Sequence, residues 1–201
     1  MTQRREGMLI VISGPSGTGK GTLVKKLLDV DPSIQFSISY TTRKRRDNEL
    51  DGVDYRFISE EEYDELLESG AFLEHATVHG HRYGTPAGPI DEGIKQGRSY
   101  LLDIDPQGAM NVMKTRPDCV SIFILPPSYE ALRVRLHTRN TDDPQEIARR
   151  LANAKGEVKQ MHHYRYVIVN DNLDLAFEQL MHIIGAERQR TTRYFPHIEE
   201  Q

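Results

Sequence analysis

The chain has almost no cysteine, no long apolar run and no excess of basic charge, and each shortage removes a class of protein. A single Cys in 201 residues excludes an internal disulfide, and Cys119 is expected as a small core filler. No apolar stretch approaches the roughly 20 residues that a membrane-spanning helix needs. The opening MTQRREG carries no apolar signal region, so the expectation is a cytoplasmic protein with no membrane partner. With 26 Lys and Arg against 30 Asp and Glu the formal charge is −4, which speaks against a broad nucleic-acid-binding surface and leaves room only for a local basic cleft. What remains is an ordinary composition, 37% hydrophobic and 28% charged, able to bury one real core with small appended subdomains.

The most informative stretch is Met8 to Thr22, MLIVISGPSGTGKGT. Leu9-Ile10-Val11-Ile12 suits a parallel strand buried on both faces, and Gly14, Gly17 and Gly19 let the following backbone curl with its N–H groups pointing inward. The GxxxxGK spacing from Gly14 to Lys20 sets an ammonium beside that cradle, and a helix starting there offers its partly positive end to the same anion. Leu23, Val24, Leu27 and Leu28 continue at helical spacing. A polyphosphorylated substrate is therefore expected. Gly21 stands where such loops usually carry Ser or Thr, with Thr22 one place later, so a metal here has to be held mainly through phosphate oxygens and water.

Apolar runs return at Tyr100 to Ile104, Ser121 to Leu125 and Tyr166 to Val169, alternating with helical patterns over Ser128 to Leu136, Pro144 to Met161 and Leu173 to Arg190. That rhythm is α/β order, a mainly parallel sheet covered by helices on both faces. Residues 36–89 and the charged stretch from Arg135 to Arg150 break it, and read as insertions over the active face. In the first insertion, guanidinium groups and tyrosine hydroxyls at Arg43, Arg46, Tyr55 and Tyr83 can grip a monophosphate dianion. Asp103 and Asp105, two apart, project from one face of a strand end, where ligands of α/β sheets gather; the competing role for either is to cap the turn at Pro106-Gln107-Gly108. In the second insertion Arg135 and Arg139, four apart, share a helix face. Asp143-Pro144-Gln145-Glu146 has the form of a helix start with a capping box, and Arg150 follows. His162 and His163 diverge by about 100 degrees on a helix and make no metal set. The final HIEEQ is expected to fray.

Taken together and in order, GPSGTGKGT, the TTRxxR element at Thr41 to Arg46, DGVDYRF, FLEHA, RYGT, LLDID and VIVND make this chain resemble the guanylate kinases, from about Met8 to Arg190. The resemblance implies a P-loop nucleoside-triphosphate-hydrolase-type parallel sheet core (residues 1–35, 90–132 and 153–201), an inserted GMP-binding domain (36–89) and a helical lid (133–152). It implies ATP and GMP as substrates, giving ADP and GDP, with Mg²⁺ as cofactor. ATP falls to Gly14, Pro15, Ser16, Gly17, Thr18, Gly19, Lys20, Gly21 and Thr22, with Arg135, Arg139 and Asn170. GMP falls to Ser39, Arg43, Arg46, Tyr55, Glu74, Tyr83, Thr85 and Asp105. Lys20, Arg43, Arg135, Arg139, Arg150 and Asp103 are the implied catalytic set, Asp103 meeting the metal through water.

Chemistry supports the guanine assignment. A carboxylate at Glu74 can accept hydrogen bonds from guanine N1–H and its exocyclic amino group, and a site built on such groups rejects a base lacking those donors by roughly 10⁴-fold. The chain departs from the family's usual pattern with Thr85 in place of Ser and Asn140 in place of Gly. The sequence leaves monomer or homo-oligomer open. Two other classes compete: a P-loop kinase acting on a different phosphorylated acceptor, and a scaffold module that binds phosphopeptides through the former acceptor site. The retained Lys20, Asp103 and lid arginines argue against the scaffold.

Overall fold

Three largely buried, mainly apolar runs, Leu9–Ser13, Ser99–Asp103 and Val120–Leu125, lie at the middle of one sheet and bury one another as adjacent strands. The computed structural model describes residues 4–47, 49–78, 80–138 and 144–196. In chain order the first elements are β1 (Arg4–Arg5), β2 (Leu9–Ser13), α1 (Lys20–Val30), β3 (Ile34–Phe36), β4 (Tyr40–Thr41), β5 (Arg56–Phe57), α2 (Glu60–Glu68), β6 (Phe72–Val78) and β7 (His81–Pro86). They are followed by α3 (Gly88–Lys95), β8 (Ser99–Asp103), α4 (Pro106–Thr115), β9 (Val120–Leu125), α5 (Tyr129–Thr138), α6 (Pro144–Val158), β10 (Tyr166–Val169), α7 (Leu173–Arg188) and β11 (Tyr194–Phe195). The three later strands and the helices expected from apolar rhythm are all present. One is shortened: α6 stops at Val158 and the chain continues as a 3-10 turn over Lys159–His163.

The main sheet has the order β10-β9-β2-β8-β3, and every neighbouring pair in it is parallel. Alternation along the strands divides the core into two layers. Ile10, Ile12, Leu101, Ile122 and Ile124 pack with Leu23 and Leu27 of α1 and with Leu180 and Ile184 of α7. On the opposite face Leu9, Val11, Leu102 and Phe123 pack with Ile90 of α3 and with Ala109 and Val112 of α4. Helices on both faces leave only the sheet's carboxyl edge for ligands. At the other end β1 pairs with β11, and the buried Glu187 carboxylate accepts from Arg193 (2.6 Å) and from the Tyr166 hydroxyl (2.7 Å), which ties the last described strand to the core.

Between β3 and α3 the chain builds a second, four-stranded sheet of order β5-β4-β7-β6, in which β6 and β7 form an antiparallel hairpin. Helix α2 beside it opens on the capping box of Ser59 and Glu62. The fully buried Tyr63 of that helix stacks on Phe72 and donates its hydroxyl to the Tyr83 carbonyl at 2.7 Å. Helices α5 and α6 pair through Leu132, Leu136, Ile147 and Ala154. Leu132 and Leu136 press on the backbone at Gly17 closely enough to exclude a side chain there.

Leu101 of β8 is fully buried in the parallel sheet, between β2 and β3, so Leu101→Ala is expected to lower the unfolding free energy by about 3 kcal/mol in urea titration, the ordinary loss for a core leucine.

Candidate active site

The loop after β2 is held open by geometry that favours glycine, with positive φ at Gly14, Gly17 and Gly19. Gly14 has φ 137° and Gly19 φ 90°, and a Cβ would collide with the Ile124 carbonyl at the first and with the Asn170 side-chain amide at the second. Helix α1 begins at Lys20 with no side-chain cap on its first turn, which leaves those N–H groups to an anion. The Lys20 ammonium lies inside the turn, donating to the carbonyls of Gly14 (2.5 Å) and Pro15 (3.1 Å). Thr18 closes the loop by donating to the Pro15 carbonyl at 3.0 Å. Gly21 and Thr22 are exposed, and a Cβ at Gly21 would meet nothing within 4 Å.

The expected lid residues reach this loop from α5 and α6. Arg135 donates to the Asn170 carbonyl at 2.9 Å and to the Thr18 carbonyl at 3.5 Å, and Arg150 to the Ser16 hydroxyl at 3.2 Å. Asn170 is buried, and its amide donates to the Thr18 carbonyl at 2.8 Å. Its side chain therefore braces the phosphate loop. A groove beside it runs from Gly17 and Gly19 past Arg135 to Asn170, with Val134 and Leu173 as apolar walls. Arg139, Asn140 and the expected cap at Asp143 lie outside the described residues, as does the HIEEQ end.

The second sheet gathers the other expected set. Glu74 stands opposite Thr85 in the β6–β7 register, next to an irregularity between Phe72 and Glu74 that re-aims the strand. The Thr85 hydroxyl donates to Glu74 Oε1 at 2.7 Å, and Ser39 Oγ lies 3.4 Å from Thr85 Oγ1. Glu74 Oε2 is buried and has no hydrogen-bond partner among the described residues. Burial pushes this carboxyl up to about 7, opposed by the Thr85 hydrogen bond and reinforced by the charge of Asp105. A buried acceptor without a donor is a demand for a ligand N–H.

Nearer the main sheet, Arg43 donates from Nε to the Tyr83 hydroxyl at 3.3 Å and is gripped by both oxygens of Glu49, at 2.7 and 3.0 Å. Arg46 leaves 67% of its side chain exposed. Tyr55 stacks edge-on against Tyr83, and burial raises its phenol to about 12, so its proton stays available to donate.

The two halves share a floor. Asp103 ends β8 in register with Ile12 of β2; burial raises its carboxyl and the Lys20 ammonium opposes that rise. Asp105 does not continue the strand as expected. It is the N-cap of α4, its Oδ1 accepting from the N–H groups of Gln107 (2.8 Å) and Gly108 (3.2 Å), so for this aspartate the capping role holds. Both aspartates still face the cleft. A cavity of about 180 Å³ is lined by Ser39, Tyr55, Glu74, Tyr83, Asp103 and Asp105, and one of about 410 Å³ runs from Lys20 to Tyr55, Asp103 and Asp105. Among the described residues no group of three or more His, Cys, Asp or Glu is placed to hold a metal. Gly21 offers no hydroxyl and the Asp103 carboxylate stands near Lys20, a donor set that suits a hard cation kept largely by phosphate oxygens.

Two functional residues escaped the sequence reasoning. Glu157 of α6 enters the larger cavity, its carboxyl raised by burial with Lys20 opposing. Its signal was the spacing of seven from Arg150, two turns along one helix face. Glu49, three residues beyond Arg46, looked like one more charge in a polar loop.

Comparison with known proteins gives one consistent result. The guanylate kinase family model matches residues 6–187. The chain is 49% identical over 193 residues to the guanylate kinase of Symbiobacterium thermophilum, covering 96% of this chain and 92% of that protein. It is 45% identical to the guanylate kinase of Wolbachia pipientis over 201 residues, 100% of both. The crystal structure of guanylate kinase from Anaplasma phagocytophilum superposes with a TM-score of 0.80 at 36% identity, covering 95% of this chain and 91% of that one.

Burial of Glu74 has a sign that can be checked. Its folded pKa, about 7, lies above the ordinary 4.5, so the stability it permits is present below 4.5 and is lost as pH rises through 7. Between pH 4 and 8, wild type is expected to lose roughly 3 kcal/mol relative to Glu74→Gln in urea unfolding; parallel pH curves would show the carboxyl to be solvated.

Proposed function

This chain belongs to the guanylate kinase family and transfers the γ-phosphoryl group of ATP to GMP; we propose that it does so between two anion pockets that share one floor, the Asp103-Ile104-Asp105 segment. The observation that carries the reading is that shared floor. One pocket opens from it onto a glycine loop with an inward lysine, the other onto an arginine–tyrosine cluster backed by a buried carboxylate.

In this reading the donor phosphates lie on the backbone N–H groups from Gly14 to Gly19 and at the start of α1, with Lys20 exchanging its carbonyl partners for phosphate oxygens. Arg135 and Arg150 come to the transferring group from the lid side, and the described contacts of both with the loop support that role. The acceptor phosphate lies against Arg43, Arg46, Tyr55 and Tyr83. Its base reaches the Ser39–Thr85–Glu74 chain, where the unpartnered Oε2 accepts an N–H and Oε1 keeps the Thr85 hydroxyl. No covalent intermediate is needed, because alignment of the two oxygens in line and neutralisation of the phosphoryl charge supply the rate. Magnesium bound to the phosphates would add charge neutralisation there, with Asp103 as its carboxylate, reached through water. The division into a core (1–35, 90–132, 153–201), an acceptor domain (36–89) and a lid (133–152) belongs to this reading. So do dGMP as a second acceptor and a cytoplasmic location. Among the described residues no helix is long and apolar enough to cross a membrane.

A coupled assay of ADP release with GMP, dGMP, AMP and UMP tests the acceptor: GMP and dGMP are expected to turn over and AMP and UMP to lag by at least about a hundredfold in kcat/KM. Lys20→Ala and Arg43→Ala are each expected to lose a hundredfold or more in the same assay, on the order of an electrostatic contact to a transferring or bound phosphate. The KM for GMP is expected to rise roughly tenfold as pH falls from 8 to 6, because protonation of the Glu74 carboxyl removes the charged acceptor for the guanine N–H. Glu74→Gln, in which only the nucleotide phosphate titrates, isolates that share.

A further inference from the structure

The acceptor-phosphate loop contains a carboxylate among its cations, and that carboxylate is the best-bonded group in it. Glu49 has 12% of its side chain exposed. Its Oε1 takes Arg43 Nη2 at 2.7 Å; its Oε2 takes Arg43 Nη1 at 3.0 Å and the Arg46 backbone N–H at 2.9 Å. Its own backbone closes the same loop, the N–H donating to the Arg46 carbonyl (3.1 Å) and the carbonyl accepting from Arg45 Nη1 (2.7 Å). Arg46 Nη1 stands 3.8 Å from Oε1, an ion pair without a hydrogen bond. The pairing holds Glu49 below the ordinary carboxylate range, first through the Arg43 hydrogen bonds, so it stays ionised.

The consequence lies in what Arg43 has left. A guanidinium carries five N–H groups. Nε–H goes to the Tyr83 hydroxyl, the two on Nη1 to the Lys44 carbonyl and Glu49, and one on Nη2 to Glu49. One Nη2 N–H is uncommitted among the described residues. Arg43 is thus no open fork for a phosphate. Because Tyr83 accepts from Nε–H, its own proton is turned away from Arg43. The guanidinium is further fixed over the rings of Tyr55 and Phe57, at 5.5 and 5.7 Å from their centroids.

We propose that Glu49 is a positioning residue of the acceptor site: it locks Arg43 so that Nε–H orients the Tyr83 hydroxyl and the last Nη2 N–H toward the phosphate of the incoming nucleotide, while Arg46 supplies the mobile charge. The inference rests on the assignment of the Arg43–Tyr83 cluster to the GMP phosphate. A carboxylate next to a bound dianion weakens the net attraction, so its presence has to be repaid by order. It does this by immobilising a rotamer-rich side chain during folding and not at binding.

The experiment compares wild type, Glu49→Gln, Tyr83→Phe and the double variant, measuring binding of GMP and of guanosine by calorimetry together with steady-state kcat and KM. Glu49→Gln is expected to weaken GMP about tenfold, the order set by one immobilised side chain, with kcat within about twofold and guanosine binding unchanged. In the Tyr83→Phe background most of the Glu49→Gln effect should vanish, since the two act in series. Glu49→Asp keeps the charge but is too short to span Arg43 and the Arg46 N–H, and it too should weaken GMP with guanosine unchanged; this variant carries the test if Glu49→Gln fails to fold. Tighter GMP binding by Glu49→Gln would make Glu49 a competing anion and overturn the proposal. So would equal losses for GMP and guanosine, an unchanged GMP affinity, or a wild-type Glu49→Asp. If instead Arg43→Ala leaves GMP affinity intact, it is the site assignment that fails.

Discussion

Every segment with a chemical task leaves the carboxyl edge of one parallel sheet, and the register pairing Ile12 with Asp103 is the constraint from which the site follows. Parallel strands need crossover helices, and the crossovers cover both faces, so this edge is the one part of the sheet that can stay open. The glycine loop leaves β2 there, Asp103 ends β8 beside it, α5 with Arg135 follows β9, and Asn170 follows β10. A slip of one residue between β2 and β8 would turn Asp103 from the cleft to the opposite face. The second sheet is inserted between β3 and β8, so its arginines and tyrosines arrive above the same edge.

A cleft for two phosphate-bearing ligands would be expected to contain cations alone, yet among the described residues Glu49, Glu74, Asp103, Asp105 and Glu157 line or support it. Each of the first four is tolerated by a different physical device. Glu49 is neutralised by Arg43 and a backbone N–H. Glu74 is desolvated, so that it sits near the boundary between its charged and neutral forms. Asp103 is offset by Lys20, and Asp105 is held by two amides at the start of α4. The basic groups are equally restrained, with Lys20, Arg135 and Arg150 all bonded to the loop they serve. Opposite charges held at fixed positions keep a concentrated polar site from collapsing on itself, and they leave its dipoles oriented before a ligand arrives.

Where function depended on local patterning, the residues alone were legible. Gly14 to Lys20 was readable because strand, turn and helix must follow in sequence for the loop to exist, and β8, β9 and β10 could be read from their mainly apolar runs. Asp105 was half legible: its place in the cleft was expected, while its capping bond replaced the strand-end geometry. Asn170 was expected beside ATP, while its bond to the Thr18 carbonyl was not legible, because the two residues lie 152 positions apart in the chain. Glu49 carried no pattern to distinguish it from surface charge, and Glu157 carried only its helical spacing from Arg150.

The sequence by itself determined the phosphate loop, the α/β order, the family and the residue types able to meet a purine monophosphate, because these depend on spacing within short segments. Only the tertiary structure decided which of those residues still have hydrogen bonds to give. Among the described residues it left Glu74 with an unpartnered oxygen and Arg43 with a single uncommitted N–H, and it turned Asn170 inward. The physical reason is that hydrogen-bonding capacity is settled between neighbours in space, and the neighbours of these three side chains come from distant segments, loops or opposing strands that no local spacing encodes.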